Sequence, residues 1–134
     1  MAYVDGFVIA VPTANREKFR EHATLGDSVF MELGATRIVE CWGDDVPGGE
    51  VTDFRKAVQA KDDEIVVFSW IEWPDKATRD AAHATMMDWM KNPEKADPRM
   101  DPAKNPMPFD GKRLVFGGFS PIVDLGAAPK GKAA

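Results

Sequence analysis

The sequence predicts a single α+β domain whose elements run β-α-β-β-α-β around a four-stranded antiparallel sheet, the ferredoxin-like arrangement. Three observations predict it. Two stretches carry apolar residues at helical spacing and four carry strand patterning, alternating along the chain in that order. The strand stretches that are apolar on both faces are the first and the third, and right-handed crossovers put those two at the centre of such a sheet. At 134 residues and 14.8 kDa, the chain has room for one such domain and not for two.

In residues 3–12, Tyr3, Phe7, Ile9 and Val11 alternate with Val4, Val8 and Ala10, which makes a central strand that Pro12 ends. Thr13 or Asn15 can cap the helix that follows over residues 14–34, where Phe19, Ala23, Gly26, Phe30 and Leu33 form the apolar stripe. A break near Gly26-Asp27-Ser28 is open, and Gly34 is the natural stop. Residues 35–43 make an edge strand, with Ile38 and Trp42 on one face and Val39 and Cys41 on the other. Residues 43–63 begin as a Pro/Gly turn and hold a short helix from Thr52, where Phe54 and Val58 are one turn apart. Residues 64–74 are β-branched and aromatic, a strand buried on both faces and closed by Pro74.

Asp75 is then an N-cap for a helix over 76–91, with Ala82, Met86, Trp89 and Met90 as its stripe and the methionines as core filler. Residues 92–111 hold five of the ten prolines, which deny both helix and ladder pairing and make a long loop without an apolar face. Asp110-Gly111 turns the chain into the fourth strand, 112–123, where Gly117 and Gly118 imply a bulge or a close approach. The domain is expected to span 1–126, with 127–134 a flexible tail.

Seventeen basic against twenty-two acidic residues give a net charge of −5, the wrong sign for a phosphate backbone, so no nucleic-acid partner is expected. Cys41 is the only cysteine, which leaves no intrachain disulfide and fits a reducing compartment. His22 and His83 lie on different helices without a second ligand at helical spacing, so no metal is expected, and nothing calls for a cofactor. No apolar run reaches the length of a membrane span, and the expected location is cytoplasmic.

Two helices cover one face of a four-stranded sheet, yet these strands are apolar on both. With no other element to cover the second face, a second copy of the chain is expected to do so, giving a homodimer with two sheets face to face.

The stretches "YVDGFVIAVP" (3–12), "GDDVPGGEVTDFRKAV" (43–58), "DDEIVVFSWIEWP" (62–74) and "MPFDGKRLVFGGFSPIVD" (107–124) resemble the bacterial YbaA-like family of small uncharacterised proteins. The resemblance implies a dimeric α/β barrel and no established activity, so it carries no catalytic residues across. The expected function is a homodimer that binds a small molecule in an apolar cavity. The alternatives are an interaction protein using the 43–63 and 91–111 loops, and more distantly a cofactor-independent oxygenase-like enzyme or an RNA-associated protein.

The candidates for lining that cavity are Asp5, Trp70, Glu72, Asp110, Arg113 and Phe116. Trp70 and Phe116, with Trp73 and Phe119, make apolar walls or simply dimer core. Asp5, Arg37, Glu40, Glu72 and Arg113 interrupt strands with charge, and either converge at a barrel end, where burial would perturb their ionisation, or pair across strands. Asp110 and Arg113 form a polar lip over the cavity or belong to the turn that Phe109 plugs.

Overall fold

The computed structural model describes residues 2–126. The 127–134 tail lies outside the described residues. Strands β1 (Tyr3–Pro12) and β3 (Glu64–Trp73) pair antiparallel along their whole length, from Tyr3 opposite Trp73 to Pro12 opposite Glu64. β2 (Arg37–Trp42) flanks β3 and β4 (Val115–Phe119) flanks β1, so the order is β2-β3-β1-β4 with the two doubly apolar strands in the middle. The sheet is open and four-stranded.

Helix α1 (Arg16–Glu32) runs unbroken through Gly26-Asp27-Ser28. Gly34, at φ 115°, ends it, and a Cβ there would come 2.5 Å from Thr78 Cγ2, so only glycine meets both demands. Asn15 occupies the N-cap position but spends its side chain elsewhere, donating to the Pro108 carbonyl at 2.8 Å. A four-residue helix, α2 (Phe54–Ala57), is capped by Asp53, which accepts from Lys56 N. α3 (Lys76–Lys91) is capped by Asp75, whose carboxylate accepts from Thr78 N at 2.7 Å.

α1 and α3 cover one face. Ile9, Val11 and Val67 of the sheet pack on Phe19 and Ala23 of α1, and Ile71 and Trp73 pack on Ala82 of α3. Along the α3 stripe Ala82 is buried and Met86 and Trp89 are half-buried, but Met87 and Met90 are 53% and 75% exposed, so those two methionines are not core filler. The opposite face is partly covered as well. The turn after α2 lays Val58, fully buried, on Ala10 and Val66, which occupies one end of that face. Beyond it Phe68, Val115 and Phe119 remain exposed.

β4 is shorter than the 112–123 expectation for a geometric reason. Asp110 caps a tight turn over Gly111–Arg113, and Phe119 already pairs with Val4, next to the start of β1, so no partner is left further on. The ladder runs through Gly117 and Gly118 in continuous register, without a bulge. Gly118 is a close approach instead: a Cβ there would come 2.5 Å from the Tyr3 hydroxyl and 2.7 Å from Arg79 Nη2.

Candidate functional site

The proline-rich segment has an apolar underside, contrary to its sequence reading, and that underside builds the site. Short turns at Pro93–Lys95 and Pro98–Met100 fold it back over α1. Three fastenings hold it. Arg99 grips Glu32 of α1 with two bonds of 2.7 and 2.8 Å and Asp97 with two of 2.7 and 3.0 Å. His22 Nδ1 lies 3.0 Å from Asn105 Oδ1, and Asn15 holds Pro108. The Phe109 ring packs 6.0 Å from Phe19 and 5.9 Å from His22, filling a gap beside the core.

Under this strap, against α1 and the inner face of the sheet, is a cavity of about 260 Å³. Phe7, Phe19, Phe30, Met100, Met107 and Phe109 supply apolar walls. His22, Arg99 and Asn105 of the fastenings also line it, and three further polar side chains reach it from α1 and the sheet. Asp27 lies one helical turn from Ala23 and from Phe30, on the face of α1 that meets the sheet. Glu40 lies on the same face of β2 as Ile38 and Trp42 and pairs in register with Ser69 of β3. Ser69 is 3% exposed.

Asp27 and Glu40 are within hydrogen-bonding reach of each other, and burial, the hydrogen bond and the Glu40 charge, in that order, push the Asp27 carboxyl up to about 9. Asp27 therefore carries a proton at neutral pH. Glu40 Oε1 is buried without a partner, and no ion pair among the described residues includes either carboxyl. The pair also forms the wall of an outer groove between α1 and β2, of about 340 Å³, where Arg16, Arg20 and Trp42 lie. Two half-buried carboxyls that hold one proton between them beside apolar walls can donate or accept a hydrogen bond, or exchange that proton with a bound molecule.

The six residues proposed from sequence occupy four other places. Asp5 is fully buried below α3, where it accepts from Arg79 Nη2 at 2.8 Å and Trp73 Nε1 at 2.9 Å, with His83 Nε2 at 3.3 Å. Trp70 and Glu72 meet on the outer face of β3, the indole donating at 2.8 Å, and Arg37 approaches Glu72 at 3.7 Å. Arg113 binds both oxygens of Glu64 at 2.7 Å and Asp110 at 3.0 Å, a clamp that holds the Glu64 carboxyl down at about 2. Phe116, 62% exposed, stacks on the Phe7 ring at 6.1 Å on the edge strand. The fold thus brings Trp70 to Glu72 and Asp110 to Arg113, and does not gather all six.

Sequence reading passed over Asp27 and Ser69 and grouped Glu40 with the strand charges that either converge at a barrel end or pair across strands. A signal for both acids was there. Asp27 stands at the spacing of the α1 stripe, and Glu40 stands between Ile38 and Trp42, so each is an acid at a position whose neighbours face the core. Among the described residues no group of three or more His, Cys, Asp or Glu side chains could hold a metal ion. Nor is any described helix long and apolar enough to cross a membrane.

The chain is 54% identical over 124 residues to the uncharacterized protein YbaA of Escherichia coli K12, covering 92% of this chain and 99% of that one. The match to YbaA of Shigella flexneri has the same extent and identity. Among solved structures, one described as a dimeric ferredoxin-like protein from an uncultured marine organism aligns over 95% of this chain and 100% of its own, at 13% identity and a TM-score of 0.48. A family model described as protein of unknown function (DUF1428) matches residues 2–111. With that match over most of its length and the identity to YbaA, the chain belongs to the DUF1428 family.

Proposed function

We propose that the protein is a small-molecule-binding homodimer whose ligand sits in the cavity beneath the 92–111 strap, with Asp27 and Glu40 as its polar anchor. The observation that carries this reading is the carboxyl pair itself. Burying two acids together costs several kcal/mol even when one is neutralised. A fold that needed only to close its core would place apolar side chains there. The cavity joins apolar walls to a few convergent polar groups, one with a strongly raised pKa, which is the combination a binding site requires.

The dimer reading rests on the outer sheet face. Phe68, Val115 and Phe119 stand 44%, 45% and 61% exposed there, beside Val4, Val8 and Val39, and this apolar strip crosses all four strands. A second copy presenting the same strip would cover it and leave the Arg37–Glu72 pair at the rim. Trp70 and Glu72 would then lie at that interface. Arg113, Asp110 and Asp5 act in this reading as clamps that hold the scaffold.

Two measurements test the two halves. Light scattering after size-exclusion chromatography is expected to give twice the chain mass at micromolar concentration, and a monomer contradicts the dimer. A thermal-shift screen of small metabolites is expected to find stabilising ligands in wild type that a Phe30→Trp variant, its cavity filled, no longer binds. Equal stabilisation of both proteins would place the ligand elsewhere.

A further inference from the structure

The cavity presents an unpartnered acceptor beside donors that are already engaged: Arg99, His22 and Asn105 line it too, bound to Glu32 and Asp97, to each other and to the strap backbone. Glu40 brings the buried, unpartnered Oε1. Ser69, 3% exposed, lines the cavity as well. Asp27 brings the second carboxyl. The charged and titratable groups on the surrounding elements are committed elsewhere. On α1, Arg20 faces Glu17 at 3.8 Å, Arg16 lies over the Trp42 ring at 5.6 Å, and His22 holds Asn105. On β2, Arg37 faces Glu72, and on the strap Arg99 is taken by Glu32 and Asp97.

Taking the reading above as its basis, we propose that the ligand is a small organic ammonium: a protonated primary amine whose N–H groups donate to Asp27, Glu40 and Ser69 while its apolar body lies against Phe7, Phe19 and Phe30. An ammonium has three donors and no acceptor, which suits two carboxyls and a hydroxyl that can turn its lone pairs toward it. An anion would put like charge beside Glu40, and a neutral ligand would leave that carboxylate without an opposite charge. A hard metal ion wants six or more oxygens, and among the described residues no group of three or more His, Cys, Asp or Glu side chains could hold one. Aromatic faces add their own attraction for a cation.

Binding of this kind exchanges one cation for another. The Asp27 O–H bond breaks, its proton passes to solvent, and N–H···O bonds to the two carboxylates form in its place. The charge inside the cavity is then unchanged. One proton leaves for each amine bound, so affinity rises about tenfold per pH unit until Asp27 ionises unaided near 9. An alkyl ammonium, with a pKa of about 10, keeps its charge over that range.

The test uses the purified full chain and three probes of one shape: phenethylamine, phenethyl alcohol and phenylacetate. Calorimetry in two buffers of different ionisation enthalpy is expected to show the amine binding with release of one proton. Its Kd is expected to fall about a hundredfold between pH 6.5 and 8.5. Asp27→Asn, which has no proton to lose, is expected to bind the amine without release and without that pH dependence. Glu40→Gln is expected to weaken it at least about tenfold at an unchanged circular dichroism spectrum. Alcohol or carboxylate binding as tightly as the amine, or a pH-independent amine Kd in wild type, would overturn the ligand class and leave the cavity reading standing. If none of the three probes binds, both fall.

Discussion

Replacing Asp27 by asparagine keeps the size of the side chain and a donor toward Glu40 and removes only the ionisation. Its effect on stability follows from linkage. The Asp27 carboxyl lies at 3.8 in solution and is pushed up to about 9 in the fold. A carboxyl whose folded value is raised contributes stability that is fully present below the solution value and lost as pH climbs toward the folded value. The slope is about 1.4 kcal/mol per pH unit. From pH 4 to pH 7 the full shift would remove about 4 kcal/mol from the wild type, and partial solvation of the pair brings the expected figure to roughly 2–4 kcal/mol. Glu64 works in the other window: held at about 2 against 4.5 in solution, it contributes stability above 4.5 that is lost as pH falls toward 2. Urea unfolding of both proteins at pH 5, 7 and 8.5 stays above the Glu64 window and reads the Asp27 effect. Asp27→Asn is expected to be more stable than wild type already at pH 5, which lies above the solution value of Asp27, and increasingly so at pH 7 and 8.5. A difference that stays constant across the three pH values, or that turns against the variant at pH 8.5, refutes the reasoning.

Three further outcomes follow from the scaffold. Arg79→Ala strands the fully buried Asp5 carboxylate and is expected to cost about 3–5 kcal/mol in chemical denaturation, with Arg79→Lys recovering part of it by restoring the charge without the fork. Gly118→Ala forces a methyl against the Tyr3 hydroxyl and the pinned Arg79 guanidinium and is expected to cost about 1–3 kcal/mol by the same measurement. Arg99→Ala releases the strap from Glu32 and Asp97, and limited proteolysis is expected to cut within 92–111 sooner than in wild type while the rest of the chain resists.

Much of the architecture was legible because it rests on local rules. Asp75 caps α3 at the predicted residue, since a short acid before a helical stripe has one low-energy use. β1 and β3 declared themselves central through apolar residues on both faces. What sequence could not give was contact across the chain. The strap looked faceless because Met100, Met107 and Phe109 follow no period; they face one way only once the prolines have bent the chain over α1. The same holds for the site. Asp27 and Glu40 are ordinary acids until α1 crosses β2, and their shared proton is a property of that crossing. Asp5 and Arg113 were flagged as charges in strands, but their partners Arg79 and Glu64 lie 74 and 49 positions away, and no spacing rule reaches that far.

The site turns on a carboxyl that stays protonated at neutral pH because it is half-buried beside a second one, and carbon-detected NMR of the side-chain carboxyls, titrated from pH 3 to 10, reads that directly. The Asp27 carboxyl carbon is expected to shift with a midpoint near 9, and to move toward ordinary aspartate behaviour in Glu40→Gln. A midpoint near 4 in the wild type would mean that the acid is solvated, and the anchor proposed for the ligand would be lost.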